Sequence, residues 1–278
     1  MNNIPDIVIC GVQKSGTTAL FKTLAMHTAI CQSSVKEPHF FDRIENYKKG
    51  ESFYESLFEH CDCHKKKMEA TPHYYRHEDV PSRIEKMNPN MKLIFIVRDP
   101  VDRAYSNYWF NKQRGAETRS FQEAIEADDG YKKYIDKGFY HKYISNFLQW
   151  FGHENIKVLT FEKFIVGEYD RCNLQQFLEI ETEDLKVKST NATRRPNSLI
   201  SLYTRYVYRN ISLYIPKLVK RKTEKIREKV KKLTSRKGYP ELHTDIRKRL
   251  ANTYERDIEM MVKTFGIDVD SWESYNKI

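Results

Sequence analysis

Apolar positions along this chain fall into short β-branched runs separated by longer stretches of helical spacing. Asp6-Ile7-Val8-Ile9-Cys10 and Lys92-Leu93-Ile94-Phe95-Ile96-Val97-Arg98 are nearly continuous apolar segments. Such runs predict strands covered on both faces. Ile156-Lys157-Val158-Leu159-Thr160-Phe161 reads the same way, and Lys66-Lys67-Met68-Glu69-Ala70 is a shorter, weaker example. Helical spacing occupies the intervals: Leu20 to Met26, Pro100 to about Lys112, Ser120 to Ala127, His141 to Phe151 and Asp170 to Leu178. Strands alternating with helices predict an α/β fold built on a parallel sheet flanked by helices. Ligands of such sheets bind beyond the carboxyl ends of the strands.

The C-terminal third differs. Arg194 to Lys237 mixes Tyr and Leu with a basic run, Lys217-Leu218-Val219-Lys220-Arg221-Lys222, continued by Arg227, Lys229, Lys231 and Lys232. Ile211, Leu213, Tyr214, Leu218, Ile226, Val230 and Leu233 suit amphipathic helices. Glu241 to Phe265 then predicts a long helix, with Pro240 near its start and Gly266 after its end. The expected organisation is one domain over 1–278: a core at 6–190, a basic helical insertion at about 195–235 and a terminal helix at about 240–266.

The first strand leads into Gly11-Val12-Gln13-Lys14-Ser15-Gly16-Thr17-Thr18-Ala19-Leu20. A strand, a glycine-bearing turn and a helix start together make an anion cradle, because backbone N–H groups converge where the helix dipole is positive. The two glycines have Walker A spacing, G-x-x-x-x-G-K-[ST], but Thr17 stands at the lysine position and the lysine lies inside the loop at Lys14. An internal lysine suits one phosphate in the cradle and one further anionic group beside it. The hydroxyls of Ser15, Thr17 and Thr18 are available as donors. No apolar strand ending in Asp supplies a magnesium partner, so no metal is expected.

A second anion site follows the strand ending at Val97. In Arg98-Asp99-Pro100-Val101-Asp102-Arg103-Ala104-Tyr105-Ser106, Asp99 is a candidate cap and Pro100 fits a first helical turn. Arg98 stands at the strand tip, suited to a forked contact with a phosphate. Ser106 lies about two helical turns on, where it can approach the same group. One ligand with phosphates on both sides of a ribose would fill both sites.

Length and composition narrow the setting. A chain of 278 residues with 18 Tyr and 15 Phe can bury a sizeable core, although 31% of its residues are charged. A net charge of +10 favours anionic partners without choosing among them. The N-terminal residues show no charged segment followed by an apolar one, and no run is long enough to cross a bilayer. Cys10, Cys31, Cys61, Cys63 and Cys172 are scattered and odd in number, which predicts reduced thiols and a cytoplasmic location, with peripheral attachment to the inner membrane face as an option. Cys61-Asp62-Cys63-His64 resembles a metal-binding fragment, but no second ligand pair at zinc-site spacing accompanies it, and an exposed loop is expected.

An internal-lysine phosphate loop combined with R-D-P…S resembles the sulfotransferases that use 3′-phosphoadenosine-5′-phosphosulfate (PAPS), in particular the branch of heparan-sulfate sulfotransferases and their bacterial relatives. Lys14, Ser15, Gly16, Thr17 and Thr18 match that family's 5′-phosphosulfate loop; Arg98 and Ser106 match its 3′-phosphate motif. Lys36-Glu37-Pro38-His39-Phe40-Phe41-Asp42 is similar to the branch's K-E-x-x-F-F-D stretch, whose Glu is the general base. Glu69-Ala70-Thr71-Pro72 and Gly138-Phe139-Tyr140 follow in the family's order. Ser235-Arg236-Lys237-Gly238-Tyr239-Pro240-Glu241 resembles the late loop over the nucleotide, which implies nucleotide contacts from Arg236, Lys237, Gly238 and Tyr239. The resemblance covers about residues 6 to 190 and resumes near 235. Ala70 departs from it where glycosaminoglycan enzymes often carry a substrate-binding lysine. The late loop is a residue shorter, and the paired cysteines of secreted relatives are absent from it.

The resemblance implies sulfuryl transfer to a hydroxyl or amine, on a carbohydrate or glycolipid. Glu37 is the expected base and Lys14 the group stabilising the departing phosphate oxygen. Phe40 and Phe41 are expected to exclude solvent around Glu37 and raise its pKa. His39, Asp42, His73 and Tyr74 are expected to line the acceptor pocket. Two other readings of the residues stay open: a P-loop kinase, and a protein that binds anionic membrane, or less readily nucleic acid, through residues 217–237. Thermal melts separate the first from the transferase: adenosine 3′,5′-bisphosphate is expected to raise the melting temperature more than magnesium-ATP does, and a kinase gives the reverse order.

Overall fold

The structure, a computed structural model, describes residues 3–181, 187, 194–196 and 235–275. They fall into two compact units: Met1–Pro100 with Phe139–Thr190 and Ala251–Ile278, and Val101–Gly138 with Asn191–Leu250.

The first unit is organised by a five-stranded sheet of order β2-β3-β1-β4-β5. Its strands are β1 (Ile7–Gly11), β2 (Ile30–Gln32), β3 (Lys66–Ala70), β4 (Lys92–Val97) and β5 (Ile156–Thr160). Every neighbouring pair is parallel, with Val8 opposite Glu69 and Leu93, and Phe95 opposite Val158. All five residues of β1 are buried, as its unbroken apolar run requires. Ile7 and Ile9 join Ile94 and Ile96 on one face, packed with Ala19, Leu20 and Leu24 of helix α1 (Thr17–Leu24). Leu159, Phe164, Leu174 and Leu178 extend that cluster. Elsewhere in β4, Phe95 meets Phe147 edge-on at 5.0 Å. Each fully buried aliphatic of this kind contributes roughly 1.5–3 kcal/mol.

The helices α2 (Ile44–Tyr47), α3 (Glu51–Ser56) and α4 (Val80–Met87) complete the first hundred residues. The next two, α5 (Pro100–Gln113) and α6 (Phe121–Glu126), lie within a residue or so of their expected bounds. Helix α7 spans only Tyr140–Ile144 and passes into a 3₁₀ turn at Ser145–Gln149, so the single helix expected over 141–151 is a short α-helix followed by a tighter turn. Its first N–H groups, on His141 and Lys142, donate to the Asp257 carboxylate at 3.0 and 3.0 Å, which substitutes for a local cap. Helices α8 (Phe161–Val166) and α9 (Arg171–Phe177) follow, the latter capped by Asp170 accepting from Asn173 N–H. Helix α10 is Thr244–Phe265, beginning three residues after the expected Glu241. Its buried Leu250, Ala251, Tyr254, Ile258 and Met261 recur at helical spacing.

In the second unit, Ser120 and Glu123 form a reciprocal capping box at the start of α6. The nearly buried Glu117 carboxylate is held by Arg119 at 2.8 and 2.9 Å, Lys133 at 3.1 Å and the Tyr134 hydroxyl at 2.8 Å. These hydrogen bonds keep its pKa well below the usual carboxylate range, against the opposing effect of burial. Strands β6 (Arg194–Pro196) and β7 (Ser235–Lys237) pair antiparallel, so both ends of the stretch expected to be helical are extended. The basic residues Lys217 to Lys232 lie outside the described residues.

The thiols depart from expectation. Cys31 and Cys61 form a disulfide with Cα atoms 5.8 Å apart, leaving Cys10, Cys63 and Cys172 free. Sequence could not pair them, because the link depends on tertiary register. Cys31 lies opposite Lys67 in the β2–β3 ladder, and Ser34 N–H donates to Leu57 O at 2.9 Å, which folds the segment before β3 back onto β2. The cytoplasmic location expected from five reduced thiols loses its ground with this bond. No helix among the described residues is long and apolar enough to cross a membrane. The disulfide closes a loop across a sequence separation of 30. Reducing it is expected to lower unfolding free energy by roughly 3 kcal/mol, read by denaturant titration with and without a thiol.

Candidate functional site

Beyond the carboxyl end of β1 the chain turns sharply. Val12 N–H donates to Ile96 O at 3.0 Å and Ser15 N–H to Val12 O at 3.1 Å, closing the turn beside β4. Lys14 has φ 75° and Gly16 has φ 93°, both in the left-handed region. Gly16 meets two demands at once, since a Cβ there would lie 2.5 Å from Cδ2 of Phe161. A lysine held at positive φ is uncommon and marks a backbone fixed by its surroundings.

Two features of this turn bear on the anion cradle expected there. The Ser15 hydroxyl is buried and has no hydrogen-bond partner among the described residues. The N–H groups of Gly16, Thr17 and Thr18 likewise meet no acceptor among the described residues, and α1 has no side-chain cap. A buried unpaired hydroxyl is costly in a folded protein, and open N–H groups at a helix start are donors that an oxyanion can use.

The loop after β2 approaches the cradle. Lys36 Nζ donates to Thr18 Oγ1 at 3.0 Å and pairs with Glu37 Oε1 at 3.0 Å. Glu37 (φ 58°) and His39 (φ 52°) are both left-handed. The Glu37 side chain is 37% exposed. Phe40 and Phe41 do not shield it as expected; both are fully buried and pack with Tyr54, at 4.2 and 5.2 Å. His39 Nδ1 lies 2.8 Å from Asp42 Oδ2, and the other Asp42 oxygen is buried without a partner among the described residues. His73 lies 5.5 Å from His39 ring to ring and contacts Gln13 through Nε2 at 3.2 Å. Tyr74, expected among the acceptor contacts, is fully buried instead. Its hydroxyl accepts from the Phe40 and Phe41 N–H groups at 3.0 and 3.3 Å, so it shapes the loop from beneath.

Sequence reasoning assigned no role to Glu69, at the end of β3. It is fully buried and accepts from Tyr54 OH at 2.8 Å and Thr71 Oγ1 at 2.9 Å. Burial pushes its carboxyl up to about 7, opposed by hydrogen bonds from Tyr54, Thr71 and Tyr74. A lone acidic residue in a weak strand gives no sequence signal of this kind; the surrounding tyrosines come from separate elements.

Arg98 sits at the tip of β4, as expected. Its guanidinium lies 4.9 Å from the Phe161 ring, and its Nε is 3.9 Å from Glu162 Oε1. Its carbonyl accepts from Tyr140 OH at 2.7 Å. Glu162 also accepts from Asp99 N–H at 3.2 Å and Trp272 Nε1 at 2.9 Å, and burial raises its pKa to about 7. The Asp99 carboxylate receives Ser274 N–H at 2.8 Å, so it anchors the C-terminal segment.

In the second unit Ser106 is buried, with Oγ 3.5 Å from Tyr239 OH. Tyr239 stacks on Trp109, ring centroids 5.7 Å apart, and meets Tyr105 edge-on at 5.8 Å. Gly238 has φ 76°, as a tight turn after β7 requires. The side chains of Arg236 and Lys237 lie outside the described residues.

The family model described as "Sulfotransferase domain" matches residues 4–264. The chain belongs to that family. This sulfotransferase domain is 32% identical over 191 residues to "Heparan sulfate glucosamine 3-O-sulfotransferase 5" of Homo sapiens, covering 65% of the chain and 55% of that protein. It is 32% identical over 185 residues to "Heparan sulfate glucosamine 3-O-sulfotransferase 6" of Homo sapiens, covering 64% and 53%. The chain thus spans about half the length of the curated relatives it matches. A solved sulfotransferase from Alicyclobacillus acidocaldarius shares the fold, with TM-score 0.69, 21% identity, and coverage of 96% of this chain and 98% of that one.

The Glu69 environment predicts a pH dependence. Its folded pKa, about 7, lies above the unfolded value of about 4.3. The folded state therefore binds the extra proton, and stability falls as pH rises between those two values. Denaturant titrations from pH 4.5 to 8 are expected to show wild type losing on the order of a few kcal/mol relative to Glu69→Gln. Parallel pH curves would contradict the assignment.

Proposed function

We propose that this sulfotransferase domain moves the sulfuryl group of PAPS to a hydroxyl or amine of a carbohydrate acceptor. The observation that carries the reading is the Lys36 ammonium, 3.0 Å from Thr18 Oγ1 in the cradle and 3.0 Å from Glu37 Oε1. One lysine thus spans from the anion cradle to the carboxylate that would accept a proton.

Ser15, Gly16, Thr17 and Thr18 hold the 5′-phosphosulfate through the open N–H groups and the buried hydroxyl. Arg98 and Ser106 hold the 3′-phosphate. Arg236, Lys237, Gly238 and Tyr239 contribute to the nucleotide from the late loop, and the stacking of Tyr239 on Trp109 supports a fixed place for that tyrosine. PAPS brings an activated S–O bond, and no metal role is assigned. Glu37 takes the acceptor's proton as the new sulfur–oxygen or sulfur–nitrogen bond forms. Lys14 stabilises the charge left on the phosphate oxygen as the old bond breaks, a role that a cation near a developing oxyanion performs without metal. Holding both partners in line supplies further rate enhancement by proximity.

His39, Asp42 and His73 supply the acceptor contacts. Two imidazoles and a carboxylate offer the donors and acceptors that a sugar needs. The relatives are named for heparan sulfate glucosamine, which supports a carbohydrate. Ala70 carries no charge where the branch often has a lysine, which favours an acceptor less anionic than heparan sulfate. The basic residues 217–237 support attachment to an anionic surface, and an acceptor embedded in a membrane would reconcile both features.

Transfer from radiolabelled PAPS to a carbohydrate panel tests this. Lys14→Ala and Glu37→Gln are each expected to lower turnover at least tenfold, while Glu37→Gln leaves adenosine 3′,5′-bisphosphate binding intact. Unchanged turnover in both variants would remove these roles.

A further inference from the structure

The segment His60-Cys61-Asp62-Cys63-His64 lacks a second ligand pair in sequence, yet the fold brings one ligand to it from β2. Cys31, on that strand, meets His60 and Cys61. His60 Nε2 lies 3.8 Å from Cys31 Sγ and 3.8 Å from Cys61 Sγ. Two sulfurs and one imidazole nitrogen therefore form a nearly isosceles triangle at the edge of the sheet. Cys31 and Cys61 are half-buried and His60 is exposed, so an ion can reach them.

The dimensions suit zinc. Zn–S bonds of about 2.3 Å and Zn–N bonds of about 2.0 Å in a tetrahedron put nitrogen and sulfur roughly 3.6 Å apart and the two sulfurs roughly 3.8 Å apart. The nitrogen-to-sulfur edges already lie close to that value. Only the sulfur–sulfur edge is short, because the pair is now a disulfide. His60 Nε2 also lies 3.1 Å from Gln32 O, a contact that a small ring rotation exchanges for a metal bond.

We propose that the Cys31–Cys61 disulfide and a zinc ion are alternative occupants of one site, selected by the thiol redox state. A small-molecule thiol reduces the bond: two R′SH give up two electrons and two protons, the two cysteines become thiols, and R′S–SR′ leaves. Zinc then displaces the two thiol protons and binds Cys31 Sγ, Cys61 Sγ and His60 Nε2, with the fourth corner left to water or to the exposed Cys63 thiol. The reverse exchange with R′S–SR′ oxidises the two thiolates to the disulfide, takes up two protons to give two R′SH, and releases the ion. Two thiolates and an imidazole favour zinc over hard cations such as magnesium or calcium. Either occupant ties β2 to the segment ahead of β3, so the same fold persists in both redox states. The site is independent of the transfer chemistry.

The test uses the full chain, reduced with a thiol, exchanged into thiol-free buffer under nitrogen, and titrated with zinc against a chromophoric chelator. One zinc per chain is expected, with affinity at least tenfold weaker in Cys31→Ser and in His60→Ala, and no uptake by the disulfide form. His60 is exposed, so its replacement leaves folding intact even where Cys31→Ser does not. The proposal is overturned if the reduced chain takes up no zinc, if both substitutions leave affinity unchanged, or if the oxidised chain binds as tightly.

Discussion

The unsatisfied donors at the end of β1 are the constraint on which the functional account depends. A parallel sheet must send each strand's continuation back through a crossover, and the turn that begins this one carries Lys14 and Gly16 at positive φ. Among the described residues, that backbone leaves the N–H groups of Gly16, Thr17 and Thr18 without acceptors and buries the Ser15 hydroxyl unpaired. A helix start with open N–H groups and a positive dipole end is a place where an anion binds favourably. The sheet, its two covered faces and the left-handed turn all serve to hold those donors in register.

Around the cradle, a second layer of buried polar groups fixes the loop carrying Glu37. Glu69 is shared among hydroxyls, and Tyr74 passes the arrangement to the backbone N–H groups of Phe40 and Phe41. Such a network is favourable only when nearly every member is paired. Its cost is a carboxyl held far from water, which is visible as an elevated pKa. The benefit is a fixed path for a segment that contains two residues in the left-handed region. On the other flank, Glu162, Trp272 and Tyr140 hold the backbone and surroundings of Arg98 in the same manner.

Much of this was legible in the chain. The three strands with apolar runs, β1, β4 and β5, were legible because a strand covered on both faces needs side chains that shed water, while β3, with two lysines and a glutamate, gave only a weak signal. The helix after Arg98 was legible through Pro100, and the one at Phe121 through Ser120. The short strand Ile30–Gln32 was missed because three residues carry no periodicity. Helix α7 ends sooner than its spacing predicts, where Ser145 Oγ donates to His141 O at 2.6 Å, a side-chain bond that competes with the helical ladder. The Cys31–Cys61 link and the role of Glu69 were invisible because both depend on contacts between elements far apart in the chain. Phe40 and Phe41 read as a shield over Glu37, but alternation in a loop says nothing about which side faces the core, and both turned inward.

The central claim is that the turn after β1 grips a phosphate. Gly16 tests it directly, since a methyl group there would collide with Phe161 and distort the donors without removing a charge. Isothermal titration of adenosine 3′,5′-bisphosphate into wild type and Gly16→Ala, with folding of both checked by circular dichroism, provides the measurement. One site in wild type and at least tenfold weaker binding in the folded variant are predicted; equal affinity in the two proteins would contradict the account.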